Sequence, residues 1–474
     1  VSESFLGVWD EAFRPELERW FHEGPGVAPF KEGPLRALWR WRGTVVKQYR
    51  SDRWPDSRPW FAYRAKALRE YENLRRLDGL GIAVPKPLAA VRGPWHAYLF
   101  TREVVGAVPL IERVEALEPR AFGRFVAEAL GTGLVHRDLH LGNVLVADGV
   151  YTLVDLHRAF FEPPSRFRIV ETLGFLLSSL VDGIPLRTRL TFLSAFADFD
   201  RVCGARADRR AFLAEVDAAF LRARHVYTTD RVERVMGDSS MTTRLEVAGV
   251  TIVAARGAAD ADGRQGTLVK QVGRRALYRT PGGVALKTYR RGFWRSLWEG
   301  ERRGPGAREW RNAFALKLRR IPVPEPLRLA VAPGVESVES RWIDGALPLN
   351  QHVAQHGVTR ALVWRLARLL RRMHDSGAAH RDLKANNVLV RGDEIYFIDL
   401  DRVTFSLSAS PADRLLNLAQ LNAAVGPPVT WGDRLRFYRA YAGRDREWHT
   451  AWKPRVREIM RITKERRHVW PALS

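Results

Sequence analysis

The sequence predicts an α+β protein made of two tandem bilobal domains, each a small β-rich lobe followed by a larger α-helical lobe. Three observations carry this. The string "HRDLHLGNVLV" at residues 136–146 returns as "HRDLKANNVLV" at 380–390. Its flanking segments return with it in the same order: "TVVKQYR" (44–50) as "VALKTYRR" (284–291), "LREYENLRRL" (68–77) as "AREWRNAFAL" (307–316), and "VPKPLA" (84–89) as "VPEPLRLA" (323–330). Further on, "VVGAVPL" (104–110) answers "WIDGALPL" (342–349), and "YTLVDLHRA" (151–159) answers "IYFIDLDRV" (395–403). Such self-similarity marks a repeated unit. Within each copy, short alternating apolar segments precede a half with helical spacing, as in "ALVWRLARLLRRMHDSG" (361–377). A short polar stretch, "GDSSMTTR" (237–244), sets the expected domains at 1–238 and 239–474.

Composition bounds the rest. A chain of 474 residues with 46% hydrophobic and 27% charged residues is globular rather than disordered. Its single cysteine, Cys203, excludes an intrachain disulfide and fits a reducing compartment. The longest apolar run, "TLGFLLSSLVDGI" (172–184), falls short of a membrane span, and no secretory signal opens the sequence. These features place the protein in the cytoplasm. With 77 Lys+Arg against 53 Asp+Glu, the net charge of +24 favours anionic partners, among them nucleotides, phosphorylated glycolipids and anionic membrane faces.

Taken in order, each copy supplies the parts that phosphoryl transfer requires: charge neutralisation on phosphates, a metal bridge, and a carboxylate that orients the attacking hydroxyl. Lys287 lies mid-strand, where a cation can hold phosphates, and Glu309 lies in the next helix, where it can fix that lysine. Asp382 is placed to receive the substrate proton, with Lys384 beside it. Asn387 and Asp399 offer the hard oxygen ligands that Mg²⁺ prefers. The first copy repeats the set as Lys47, Glu70, Asp138, Asn143 and Asp155, with His140 where the second has Lys384.

This constellation resembles the protein-kinase-like superfamily, with its strand lysine, helix glutamate, H-R-D-x-x-x-x-N loop and metal-binding aspartate. The resemblance implies two protein-kinase-like domains using ATP and Mg²⁺. No Phe-Gly follows Asp155 or Asp399 and no A-P-E follows later, so a peptide-docking activation segment is not expected. "DLHRA" with "HRDL" resembles the lipopolysaccharide inner-core heptose kinases, and "IDLDR" the Kdo kinases. That resemblance implies phosphorylation of heptose or Kdo in the lipopolysaccharide core, in peripheral contact with an anionic inner membrane of a Gram-negative bacterium. Two alternatives stand beside it: a phosphotransferase on another small-molecule or protein acceptor, since "HRDLHLGN" also resembles antibiotic- and choline-kinase loops, and a non-catalytic scaffold binding nucleotide or lipopolysaccharide. Nucleic acid is disfavoured as a partner, and oligomeric state is not specified.

The remaining features have plainer readings. The glycine-rich lid is degenerate in both copies ("KEGPLRALWRWRG", "QVGRRALYRTPGG"). His136 and His380 are expected to brace the loop, and His225 and His468 of the repeated "RHV" to anchor the fold. Arg and Trp interleave in 49–66 and 289–304, which suits either a phosphorylated glycolipid surface or a solvated loop. Phe5, Trp9, Phe13, Leu17 and Trp20 form one stripe of an N-terminal helix expected to dock on the first domain. From Leu110 to His136 the first copy is shorter than the second from Leu349 to His380, which predicts a shortened helix and a displaced Asp138.

Overall fold

The computed structural model describes residues 6–33, 36–50, 61–92, 96–180, 209–258, 266–291, 302–426, 428–443 and 445–465. Contacts divide the chain into two compact units, Val1–Arg224 and His225–Ser474. The division falls inside the helix Arg209–Arg234, ahead of the polar seam. The reason is local: Val235 and Met236, just past that helix, are buried in the second unit, where the Trp310 indole N–H donates to the Val235 carbonyl at 2.9 Å. The seam itself is a turn, pinned by Ser239 and Thr242, that leads into the strand Thr242–Val247.

In the first unit an antiparallel sheet runs, edge to edge, Leu6–Trp9, Pro87–Arg92, His96–Arg102, Thr44–Arg50, Arg36–Trp41, Lys31–Gly33. The β-branched and aromatic residues of "TVVKQYR" suit a strand buried on both faces, and this strand occupies an interior place in the sheet. One face carries the helix Phe61–Gly79, whose Leu74 and Leu77 enter the main core. The other face is covered from the N-terminus. Here the expected single helix is corrected. Leu6–Trp9 is an edge strand paired with Pro87–Arg92, Asp10 then caps a short 3₁₀ turn, and the helix is only Arg14–Glu23. Pairing of an edge strand outweighs the helical stripe. Docking on the first unit does occur: Phe13, Leu17 and Trp20 are buried against Trp39, Trp41 and Phe100, with Trp20 edge-on to Trp41 at 5.4 Å. Phe5 lies outside the described residues.

The second unit repeats this plan with a seven-stranded antiparallel sheet: Thr242–Val247, Val250–Ala255, Pro326–Ala332, Val335–Arg341, Val284–Arg290, Arg275–Arg279, Thr267–Val272. Its helix Pro305–Leu318 begins with proline at its first turn, where the missing N–H costs nothing. That helix start is held by Glu336 of the neighbouring strand, fully buried. Its Oε2 accepts from the backbone N–H of Gly306 at 2.6 Å and Ala307 at 3.3 Å, and Oε1 pairs with Arg291. A Cβ on Gly304 would stand 1.5 Å from Glu336 Oε1, so a side chain there would displace the carboxylate from this position.

Both helical lobes follow. In the second unit, Thr359 caps Arg360–Asp375 by accepting from Leu362 N–H at 3.1 Å, and Leu362, Leu366, Leu370 and Met373 bury one face. Its counterpart in the first unit, Pro119–Gly131, is shorter, as expected. The run at 172–180 lies in the helix Arg166–Leu180, with Leu173, Leu176 and Leu177 buried. Among the described residues, no helix is long and apolar enough to cross a membrane. Residues 51–60 and 292–301, which hold most of the Arg/Trp stretches, and His468 and Cys203 lie outside the described residues. His225 is half-buried in its helix, while Val226 and Tyr227 after it are exposed.

Trp310 is fully buried at the centre of the second unit's upper core. Trp310→Ala is expected to cost about 3–5 kcal/mol, read as a fall in the urea midpoint.

Candidate active site

The site forms where the sheet, the following helix and the first short strands of the helical lobe meet. In the first unit Lys47, mid-strand and buried, places Nζ 2.9 Å from Glu70 Oε2 and 2.6 Å from Asp155 Oδ1. In the second, Lys287 Nζ stands 2.9 Å from Glu309 Oε2 and 2.6 Å from Asp399 Oδ1. The two predicted trios are therefore assembled, and nearly superimposable in their distances. Burial alone would lower the Lys287 pKa, but Glu309 and Asp399 overcome this and raise it. Burial likewise pushes Asp155 up, yet Lys47, His157 and Arg36 together hold it far below the ordinary carboxylate range.

Each aspartate is aimed by strained backbone. Asp155 (φ 64°, ψ 48°) and Asp399 (φ 61°, ψ 54°) both adopt the left-handed conformation immediately before a 3₁₀ turn. The glutamate helix grips that turn through a residue not foreseen in the sequence. Asn73 Nδ2 donates to the carbonyls of Leu156 and Ala159, both at 2.9 Å, and Asn312 Nδ2 donates to Leu400 at 2.7 Å and Val403 at 3.1 Å. A second unforeseen pair, Tyr49 and Tyr289, donates to Glu70 and Glu309. Burial, then the adjacent glutamate, raises the pKa of both phenols. Asn and Tyr recur at matching places in the repeated strings, which was the available signal.

The loop residues sit alongside. Asn143 Nδ2 donates to the Asp138 carbonyl at 2.8 Å, and Asn387 Nδ2 to the Asp382 carbonyl at 2.9 Å. This turns each carboxamide oxygen away from the loop. The backbone N–H groups of Val154 and Ile398, the residues preceding the two metal-type aspartates, donate to Asn143 and Asn387 carbonyls at 3.0 Å. His136 and His380 are buried and accept from Asp138 N–H at 3.2 Å and Asp382 N–H at 3.1 Å, which is the bracing role expected. These matching bonds also correct one expectation: the shortened helix of the first unit leaves the Asp138 backbone held as in the second, because the loop is fixed by its own histidine and asparagine.

The units differ at three places. Lys384 Nζ lies 3.0 Å from Asp382 Oδ2, whereas His140 turns into its own loop and accepts from Gly142 N–H at 3.0 Å. Asp401 of the second unit is replaced by His157, whose Nδ1 stands 2.7 Å from Asp155 Oδ1. Finally, Asn417 and Gln420 of the helix Pro411–Ala424 bind the HRD backbone in the second unit, with Gln420 Nε2 donating to the Arg381 carbonyl at 2.7 Å. In the first unit the helix Arg166–Leu180 packs on the strand Leu134–His136 instead, with Leu173 and Leu176 fully buried. Only a 3₁₀ turn, a three-residue strand and the short loop 406–410 separate Asp399 from Pro411–Ala424, leaving no room for a long activation segment.

Fold and site together define a phosphotransferase of the protein-kinase-like class, present twice. The chain belongs to the lipopolysaccharide kinase (Kdo/WaaP) family, whose pattern matches residues 26–196 and 258–441, one stretch in each unit. It is 28% identical over 218 residues to a 3-deoxy-D-manno-octulosonic acid kinase of Xylella fastidiosa (strain M23), covering 42% of this chain and 80% of that protein. A second such kinase, from strain 9a5c, is 31% identical over 179 residues, covering 34% and 71%. Among solved structures, WaaP in complex with acyl carrier protein aligns at 22% identity and a TM-score of 0.32, covering 42% of this chain and 88% of that one. The bifunctional kinase-methyltransferase WbdD aligns at 16% identity and a TM-score of 0.31, covering 40% and 47%.

Burial lowers the His136 pKa from 6.5 to about 4. The unfolded chain therefore binds the extra proton first, and stability falls as pH drops from 6.5 towards 4, by up to about 3 kcal/mol. His136→Asn, which keeps an acceptor, should flatten this loss when urea midpoints at pH 7 and pH 4.5 are compared; an unchanged slope would refute the assignment.

Proposed function

We propose that the protein uses ATP and Mg²⁺ to phosphorylate a hydroxyl of heptose or Kdo in the inner core of lipopolysaccharide. The observation that carries this is the lysine–carboxylate centre, built twice in a chain of the lipopolysaccharide kinase family. Asp399 with Asn387, and Asp155 with Asn143, are the oxygen donors suited to Mg²⁺. The donor chemistry fits, because each asparagine spends its N–H on the loop carbonyl and keeps its oxygen for a hard cation. Once bound, the ion would neutralise charge on the phosphates.

The protein's own groups divide the remaining work. Lys47 and Lys287 hold phosphate oxygens, and Glu70 and Glu309 keep each ammonium in place. Asp382 takes the proton of the sugar hydroxyl as its oxygen bonds to the γ-phosphorus and the bond from that phosphorus to the ADP oxygen breaks. Lys384, beside Asp382, adds positive charge where the phosphoryl group passes. His140 is committed to its own loop, so the second unit is assigned the larger share of turnover. The net charge of +24 supports an anionic acceptor, with a phosphorylated glycolipid at the cytoplasmic membrane face fitting best. The relatives named as 3-deoxy-D-manno-octulosonic acid kinases favour Kdo as the first acceptor to try.

The test is transfer of labelled phosphate from ATP to dephosphorylated core lipopolysaccharide. Asp382→Ala is expected to lower transfer by about 10²–10⁴-fold, the usual worth of a general base, and Asp138→Ala by less. Undiminished labelling by the double variant, or none by the unaltered protein, would sink the reading.

A further inference from the structure

One pair of arginines is built into the site in both units and has no part in the scheme above. Arg36 and Arg275 open the strand that follows the turn of the lid hairpin, and both strands begin "RAL". Each arginine lies directly across from the tyrosine of the lysine strand, Arg36 from Tyr49 and Arg275 from Tyr289. From this register Arg36 Nη1 reaches Asp155 Oδ2 at 2.8 Å. Arg275 reaches Asp399 Oδ1 at 3.7 Å and Asp401 Oδ2 at 2.9 Å.

The contacts with Asp155 and Asp399 are poorly explained as props for the fold. Asp155 already has the Lys47 ammonium at 2.6 Å and the His157 ring at 2.7 Å, so it is hydrogen-bonded without Arg36. Both arginine side chains keep more than a third of their surface in solvent, 40% for Arg36 and 37% for Arg275. Arg275 also neutralises the buried Asp401, but only the contact with the site aspartate is common to both units, since His157 stands where Asp401 does. The hairpin that carries the arginines is the element whose glycine-rich turn, in protein kinases, covers the phosphates. Here that turn lacks the glycine pattern. In the second unit Gly273, at φ 56°, is followed at once by Arg274 and Arg275. A guanidinium presents a fork of N–H donors matched to phosphate oxygens, and does so without the close backbone approach that glycine permits.

We propose that Arg36 and Arg275 are the phosphate-binding groups of the two lids, standing in for the missing glycine-loop amides and turning from the carboxylates they now face, Asp155 in the first unit and Asp401 with Asp399 in the second, towards phosphate oxygens of a nucleoside triphosphate. A cation held by Asp155 or Asp399 favours the exchange, because it takes over the charge the arginine now offsets. The proposal rests on the reading that the units bind Mg·ATP.

The experiment is calorimetric titration of the full chain with Mg·ATP and, separately, with adenosine. It compares the unaltered protein with Arg36→Met, Arg275→Met, the double variant, and Arg36→Lys with Arg275→Lys. Arg→Met is expected to weaken Mg·ATP binding at the altered unit by about 10–100-fold, the range for losing charge-assisted hydrogen bonds. Adenosine binding should stay within twofold, and lysine should restore part of the loss. Arg→Gln, which keeps a polar side chain, replaces methionine if the latter lowers the unfolding temperature. If the unaltered chain binds Mg·ATP and the variants bind it equally well, the arginine role is overturned and the kinase reading stands. If adenosine binding falls as far as ATP binding, the arginines shape the hairpin rather than hold phosphate, and the proposal again fails. If the unaltered chain binds no Mg·ATP, both readings fall together.

Discussion

Burying an ammonium group between a sheet and a helix costs several kcal/mol unless carboxylates neutralise it. That constraint organises each unit. Lys47 and Lys287 project from interior strands and are met from two directions, by a glutamate on the packed helix and an aspartate after a strand of the helical lobe. Neither carboxylate alone holds the lobes in register, since the helix can roll on the sheet and the aspartate turn can drift. Asn73 and Asn312 close the triangle by tying the glutamate helix to the aspartate turn. Charge, helix and turn therefore hold one another, and the same atoms that satisfy the fold present the chemistry.

The duplication separates what this frame requires from what it tolerates. Lysine, glutamate, aspartate, asparagine and the braced histidine take closely matching positions in both units. Around them, Asp401 gives way to His157, Lys384 to His140, and the Asn417–Gln420 clamp to a leucine-packed helix. These changes alter the charge beside Asp155 and Asp399, the partner of the HRD aspartate, and the packing beneath the loop.

Much of this was legible in the sequence because comparing the two halves acts as an internal control. Lys47, Glu70, Asp138, Asn143 and Asp155 and their second-unit partners stand out when the strings are overlaid. Asn73, Tyr49 and Arg36 recur just as faithfully, but they lie among strand and helix residues with ordinary structural explanations, and one arginine in a chain with 77 Lys+Arg draws no notice. The N-terminal stripe misled for a physical reason. Aromatic residues four apart fit a helix, yet Leu6–Trp9 completes the open edge of a sheet, and unpaired backbone groups there outweigh the stripe. Glu336 was beyond reach, since the first unit has Ala97 at the same place in the strand and overlay finds only what both halves share.

That buried glutamate has a mechanical consequence. In the second unit the helix bearing Glu309 is bolted at its first turn to a central strand, by a carboxylate that would lose two backbone N–H partners if the helix swung outward and keep only Arg291 of the adjoining strand. Gly304 and Gly306 seat the bolt so closely that neither can gain a side chain without ejecting it. Outward movement of this helix would leave a carboxylate buried without its amide partners, so the helix that carries Glu309 is held in place by the sheet itself, independently of anything bound in the site.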